Sequence, residues 1–156
     1  MTSTSRTVIV DRPVEVVAAY LSDFTTSAEW DPHTVSCRHL DDGPLAIGSR
    51  FENVQRLAGH DSSLVYTVAE FEPGRRILLT GGNDTVDSRD EMTFTPTPDG
   101  GTQVTYSIDI TLKGAAKLAT PVMPPALKKL ADEGAESLEA RLRACRRTRG
   151  ERPTRP

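Results

Sequence analysis

The side chains best suited to proton chemistry lie on one predicted strand, VDSRDEMTFTP at positions 86–96. Alternation along this strand places Ser88 and Asp90 on the face that carries its large apolar residues. A carboxylate among apolar neighbours has its pKa raised by desolvation, and such a group can act as a general acid or base. The alternatives for Asp90 are hydration near a strand end, or a pair with an arginine.

A second candidate lies on TQVTYSIDITL at positions 102–112, where Tyr106 falls between Val104 and Ile108 on an apolar face. Its phenol can orient a ligand hydroxyl or carbonyl. The alternative is a core tyrosine whose hydroxyl is already satisfied. Asp90 and Tyr106 are therefore the catalytic candidates, with the structural alternative open for both.

Further polar residues are predicted on the same concave face. On SRFENVQRL at positions 49–57, Asn53 and Gln55 share a face with Phe51, and their amides suit recognition better than proton transfer. Tyr66 joins them if its strand turns the same face inward. Burying an uncompensated polar group costs about 1–3 kcal/mol. These groups therefore need one another, trapped water or a ligand as partners.

The stretch SAEWDPHTVSC at positions 27–37 holds the only tryptophan, Trp30, close to His33 and Cys37. It resembles a reactive cluster, but the residue before a proline is pushed out of the helical region, which favours a corner. Cys37 is a nucleophile only with a lowered pKa and a nearby base, so a structural thiol is the favoured interpretation. We predict that Trp30 plugs the end of the core or forms a cavity rim.

More specific catalytic and cofactor motifs are missing from the sequence. His33, His39 and His60 lack the spacing of a zinc site. No Gly-x-Ser-x-Gly nucleophile elbow is present. TGGNDT has no following lysine and helix, so it is a hairpin turn rather than a phosphate loop. We expect no metal and no cofactor.

A sheet and a long helix must position these residues. RTVIV at 6–10 and six further β-rich segments are separated by turns such as EPGR and TPDGG, which is typical of an antiparallel meander. RPVEVVAAYLSD and a turn at 25–29 predict two short helices after the first strand. Beyond Gly114, apolar residues spaced by three and four predict a long amphipathic helix, with prolines that kink or divide its start.

The apolar face of this helix includes Leu127, Leu130 and Gly134. A glycine inside a helix costs about 1 kcal/mol relative to alanine. We therefore expect Gly134 to mark a close approach of the helix to the sheet. Small residues on this face would also leave room inside the fold, while a dry packed core is the alternative.

The composition excludes several classes of protein. A chain of 156 residues fits one domain, predicted at 1–146, followed by a disordered basic tail at 147–156 that is solvated or contacts an acidic partner. The net charge of −3 gives no general attraction to nucleic acid. No apolar run is long enough for a membrane span or a signal peptide, so we expect a cytoplasmic protein. The two cysteines, Cys37 and Cys145, are predicted to be free thiols.

The opening VDRPVEVVAAYLSDFTTSAEWDP and the segment VAEFEPGRRILLTGG resemble the polyketide cyclase/dehydrase branch of the SRPBCC (START-like, helix-grip) superfamily. The resemblance covers about residues 5–146. It implies an α+β helix-grip fold, in which a seven-stranded antiparallel sheet curves around a long C-terminal helix, with two short helices after the first strand. It also implies a deep apolar cavity that binds lipids, polyketides, hormones or other hydrophobic molecules. Some members of the superfamily are aromatase/cyclases.

Two functions follow as hypotheses. The first is binding of a small hydrophobic ligand, polyketide-, lipid- or aromatic-like, between sheet and helix. The second is a polyketide cyclase/aromatase or dehydrase in which Asp90 and Tyr106 move protons. An interaction module acting through its surface is a third class, supported only by the basic tail. A monomer and a homodimer are both open. The predicted ligand-binding residues are Trp30, Phe51, Asn53, Gln55, Tyr66, Ser88, Asp90, Met92, Tyr106, Leu127, Leu130 and Gly134.

Overall fold

The computed structural model describes residues 1–57 and 59–150 of the chain. Its seven strands form one sheet. The strands are β1 (Thr2–Val10), β2 (Thr34–His39), β3 (Arg50–Leu57), β4 (His60–Glu72), β5 (Arg76–Gly82), β6 (Val86–Pro96) and β7 (Thr102–Leu112). The helices are α1 (Val14–Ser22), α2 (Ser27–Trp30) and α3 (Met123–Gly150), with short 3-10 helices at Phe24–Thr26 and Gly114–Val122.

The sheet is antiparallel throughout, in the order β1-β7-β6-β5-β4-β3-β2. Strands β2 to β7 form the predicted meander, and β1 closes it by pairing with β7, with Val8 opposite Val104. Strand β1 begins at Thr2 rather than at Arg6. Residues 2–5 have no apolar side chain to indicate a strand. They pair antiparallel with residues 107–110 of β7, and the hydroxyls of Ser5 and Ser107 are also hydrogen-bonded, at 3.0 Å. The predicted helix-grip architecture is confirmed.

One face of the sheet is buried, as strand alternation predicts. On β6, Ser88, Asp90, Met92 and Phe94 are buried, while the residues between them are exposed or half-buried. The 3-10 helix Phe24–Thr26 covers one end of this face. The ring of Phe24 lies 5.9 Å from that of Phe51 and 5.0 Å from that of Tyr66, in edge-on geometry.

The prolines divide the C-terminal helical region as expected. Pro121 lies in the 3-10 helix Gly114–Val122. Pro124 and Pro125 lie in the first turn of α3, where a missing N–H breaks no intrahelical hydrogen bond.

Within the described part of the chain, three ion pairs connect α3 to the N-terminal segments. Arg6 Nε on β1 lies 2.6 Å from Asp132 Oδ1. His33 Nε2, after α2, lies 2.6 Å from Glu133 Oε2. Glu29 Oε1 on α2 lies 3.0 Å from Arg141 Nη2. These ion pairs connect α3 both to β1 and to the segment around α2.

Some predictions lie partly outside the described residues. Residues 151–156 of the predicted tail and the side chain of Cys145 are not described, while Cys37 is a free thiol. Among the helices described, none is long and apolar enough to cross a membrane.

Candidate functional site

A pocket of about 270 Å³ lies between the concave face of the sheet and α3. Strands β1, β3, β4, β6 and β7, the loop after α2, and α3 all contribute to its wall. The lining residues are Arg6, Val8, Trp30, Asp31, His33, Gln55, Ser62, Leu64, Tyr66, Thr85, Val86, Ser88, Asp90, Val104, Tyr106, Ile108, Ile110, Leu112, Met123, Leu127, Leu130, Ala131, Gly134, Ala135 and Leu138. Most of them are aliphatic or aromatic, and the polar groups are few.

Most of the predicted site residues meet at this pocket. Those that line it are Trp30, Gln55, Tyr66, Ser88, Asp90, Tyr106, Leu127, Leu130 and Gly134. Phe51, Asn53 and Met92 do not line it, although all three are buried. Phe51 packs against Phe24 and against His39, whose ring centroid is 4.8 Å away. Alternation correctly predicts that these side chains point inward, but it does not predict which of them other elements cover.

Asp90 is the central polar group of the pocket. It is 4% exposed. Its Oδ1 accepts a hydrogen bond from the Ser88 hydroxyl, and its Oδ2 accepts one from the Tyr106 hydroxyl, each at 2.5 Å. Burial raises the pKa of Asp90 to about 6, and the two hydrogen bonds act in the opposite direction because they favour the ionised form. Among the described residues, no arginine pairs with it.

Two tyrosines stand beside this carboxylate. Burial raises the pKa of Tyr106 and Tyr66 well above the ordinary value, and the nearby charge of Asp90 raises both further. Both phenols are therefore neutral hydrogen-bond donors at physiological pH. The Tyr106 ring contacts Trp30 edge-on, with 5.9 Å between ring centroids.

Asp31 supplies a second carboxylate to the pocket wall. The backbone N–H of His33 donates to its Oδ1 at 3.0 Å, and the Thr34 hydroxyl donates to its Oδ2 at 2.7 Å. Asn53 Nδ2 lies behind this loop and donates to Thr34 Oγ1 at 3.4 Å and to Ser27 Oγ at 3.2 Å. Asn53 therefore supports the loop that carries Asp31 instead of meeting the pocket itself.

The segment around Trp30 forms part of the pocket wall. Trp30 is buried and lines the pocket, as the rim prediction requires, and Asp31 and His33 line it too. Cys37 does not line it, and burial raises its pKa, so it lacks the lowered pKa that a nucleophilic thiol needs. The Asp-Pro turn therefore brings part of the stretch to the pocket.

The prediction that Gly134 marks a close approach of α3 to the sheet is wrong. A Cβ built on Gly134 would have no atom within 4 Å, so the glycine does not mark a close approach to the sheet. It lines the pocket between Leu127 and Leu138 on the inner face of α3. The missing side chain leaves open space there.

Arg6 is one of the charged lining residues that were not predicted for the site, together with Asp31. It stands on β1 opposite Tyr106 of β7, on the concave face. A parity argument extended along β1 from Val8 and Val10 would have found it. For metals, the described residues contain no group of three or more His, Cys, Asp or Glu side chains that could hold an ion.

A seven-stranded antiparallel sheet that grips a long C-terminal helix, with a pocket between them, defines the START-like, helix-grip class. Within that class, the chain belongs to the polyketide cyclase / dehydrase and lipid transport family, whose model matches residues 1–143. No curated protein sequence matches the chain.

Solved structures share the architecture. A START superfamily protein from Mycobacterium smegmatis is similar with a TM-score of 0.79 and 18% identity, over 93% of this chain and 99% of that one. The Zhui aromatase/cyclase from a Streptomyces species has a TM-score of 0.76 and 16% identity, over 90% and 93%. A protein from Thermus thermophilus has a TM-score of 0.76 and 15% identity, over 92% and 98%. At these identities the similarity concerns the fold alone.

Proposed function

We propose that this protein binds a small hydrophobic molecule in the pocket between the sheet and α3. The observation that carries the proposal is the open space of about 270 Å³ beneath Gly134. The volume of about 270 Å³ lies just below the range of about 300–1,000 Å³ that is typical of ligand pockets, so the space suits a small molecule of roughly one to three rings or a short acyl chain. The mostly apolar wall favours such a ligand through burial of its surface.

Filling the pocket tests this proposal directly. Gly134→Leu places an isobutyl group in the space that a ligand would occupy, while Ala140→Leu adds the same group on an exposed position of α3. Native mass spectrometry of the purified protein should detect a co-purifying apolar molecule in wild type and Ala140→Leu, and lose it in Gly134→Leu. Equal ligand retention in both variants would place binding elsewhere and refute the proposal.

A second candidate function is proton transfer to a bound substrate, as in a polyketide cyclase/aromatase or dehydrase. One observation favours it: the Tyr106 hydroxyl lies 2.5 Å from Asp90 Oδ2 on the pocket wall. With the pKa of Asp90 raised to about 6, the carboxyl group can take up or release a proton near neutral pH. Orientation of a flexible substrate in the pocket would supply much of the remaining rate.

Asp90→Asn separates the two candidates. If the protein is an enzyme, this variant should lose turnover of a saturating polyketide-like substrate by about 100-fold or more, with a loss of binding of no more than about tenfold, because removal of a general acid or base typically costs 10²–10⁴-fold. Tyr106→Phe keeps the ring and should reduce turnover less. A wild-type protein that binds such substrates without turning them over would remove the enzyme candidate and leave the binding function intact.

A further inference from the structure

The pocket wall carries two carboxylates and little positive charge to balance them. Asp31 and Asp90 both line it. Among the described lining residues, Arg6 is the only lysine or arginine. His33 also lines the pocket, but its Nε2 lies 2.6 Å from Glu133 Oε2. The basic groups that could balance a negative charge are therefore Arg6 and His33, and both have acidic partners. The wall also carries neutral donors such as Gln55 and the indole N–H of Trp30, which has no hydrogen-bond partner among the described residues, but these donors bring no positive charge.

Arg6 is already engaged by the protein. Its Nε donates to Asp132 Oδ1 at 2.6 Å. Its Nη1 donates to Thr4 Oγ1 at 3.0 Å and to the Ser5 carbonyl at 2.7 Å. Its Nη2 reaches the Lys128 carbonyl at 3.5 Å. These contacts tie β1 to α3, so turning the guanidinium toward a ligand anion would break them.

The carboxylates still have capacity to accept hydrogen bonds. A carboxylate offers about four acceptor positions. Asp90 uses one on each oxygen, for Ser88 and Tyr106. Asp31 likewise accepts one bond on each oxygen, from His33 and Thr34. A donor on a bound molecule can therefore be accepted without displacing a protein partner.

We propose that the pocket selects apolar molecules whose polar group is a hydrogen-bond donor without negative charge, such as a phenol, an alcohol or an amine, and rejects carboxylates. The inference rests on the proposed binding function and narrows its ligand class. A donor would bond to the free acceptor positions of Asp90 or Asp31. A ligand carboxylate would instead face two like charges in a partly apolar pocket, which is strongly unfavourable.

Three probes that share one ring system test the selection. They are 2-naphthol, a neutral donor; 2-methoxynaphthalene, which can only accept; and 2-naphthoate, an anion. Isothermal titration calorimetry at about pH 7.5 should give the tightest binding for 2-naphthol. The methoxy probe should bind about tenfold more weakly, because hydrogen bonds to charged groups are the stronger ones. The naphthoate should bind on the order of 100-fold more weakly.

Charge-neutral variants provide the matched control. Asp31→Asn with Asp90→Asn keeps the size of both side chains and removes both charges, so the gap between 2-naphthol and 2-naphthoate should shrink below about tenfold. Circular dichroism checks that the double variant is folded. If it is not, the single variant Asp31→Asn removes one of the two charges and should narrow the gap between 2-naphthol and 2-naphthoate in part.

The possible outcomes separate a failure of the proposed ligand selectivity from a failure of the proposed binding function. Wild-type protein that binds 2-naphthoate as tightly as 2-naphthol overturns the charge selection, and equal binding of 2-methoxynaphthalene overturns the donor requirement. After either result, the proposed binding function still stands if the Gly134→Leu variant no longer binds the probes. If none of the probes binds, the proposed function fails for this ligand class, and the inference fails with it.

Discussion

Replacing Asp90 by asparagine should change how the free energy of unfolding depends on pH. The pKa of Asp90 is raised from its ordinary value of 3.8 to about 6 in the folded protein, with burial as the largest cause. Between these values the unfolded chain releases the proton while the folded protein retains it. Stability is therefore fully present below about pH 3.8 and declines as the pH rises through about 6.

The size of the effect follows from the same two pKa values. At about 1.4 kcal/mol per pH unit, ionisation of Asp90 costs the folded state about 3 kcal/mol once the pH is well above 6. Asparagine has a similar shape and no charge to bury. The difference in unfolding free energy, Asp90→Asn minus wild type, should therefore rise by about 2 kcal/mol from about pH 4.5 to about pH 7.5.

Urea denaturation at several pH values measures this difference, in which titrations common to both proteins cancel. Asp99→Asn is a control whose difference from wild type should stay nearly constant between about pH 4.5 and about pH 7.5. Hydrogen bonds from the Thr97 hydroxyl and the Gly101 N–H lower the pKa of the exposed Asp99 from 3.8, so its contribution to stability is lost only as the pH falls below about 3.8. A difference for Asp90→Asn that stays constant across this range, or that falls with rising pH, would refute the reasoning from burial.

Three further predictions concern the pocket wall. Tyr106→Phe should raise the pKa of Asp90 further, because the Tyr106 hydrogen bond favours the ionised form; a ¹³C NMR titration midpoint that stays or falls would contradict this. Gly134→Ala should raise the free energy of unfolding, measured by thermal denaturation, by up to about 1 kcal/mol, because alanine has the higher helix propensity and its Cβ meets no atom within 4 Å. A lower free energy of unfolding would mean that the position is crowded. Trp30→Ala should lower the unfolding free energy by about 3–5 kcal/mol in denaturant titrations, and a loss below about 1 kcal/mol would show that Trp30 packs loosely.

The sequence was most informative where side-chain orientation follows from local periodicity. On β6 and β7, strict alternation correctly placed Ser88, Asp90 and Tyr106 on the buried face, because successive side chains of a strand point to opposite sides. The segments VDRPVEVVAAYLSDFTTSAEWDP and VAEFEPGRRILLTGG also indicated the fold. On β1, by contrast, the polar residues before Val8 hid both the start of the strand and the inward position of Arg6.

Depth within the core could not be predicted in this way. Phe51, Asn53 and Met92 are buried as expected but do not reach the pocket. Phe24 packs on Phe51, and Asn53 lies behind the Asp31 loop. Gly134 illustrates the same limit. A glycine on a helix face is compatible with a close contact or with a cavity, and only the distance between α3 and the sheet decides which applies.

The position of the buried Asp90 carboxyl group supports the proposed function. An apolar side chain at Asp90 would avoid the ionisation penalty of about 3 kcal/mol derived from its raised pKa. That penalty is a substantial part of the 5–15 kcal/mol or so by which proteins are typically stable. The carboxylate is nevertheless held by Ser88 and Tyr106 on the wall of the pocket. A stability defect that is well supported by hydrogen bonds, and that faces open space, is consistent with the proposed recognition of a bound molecule.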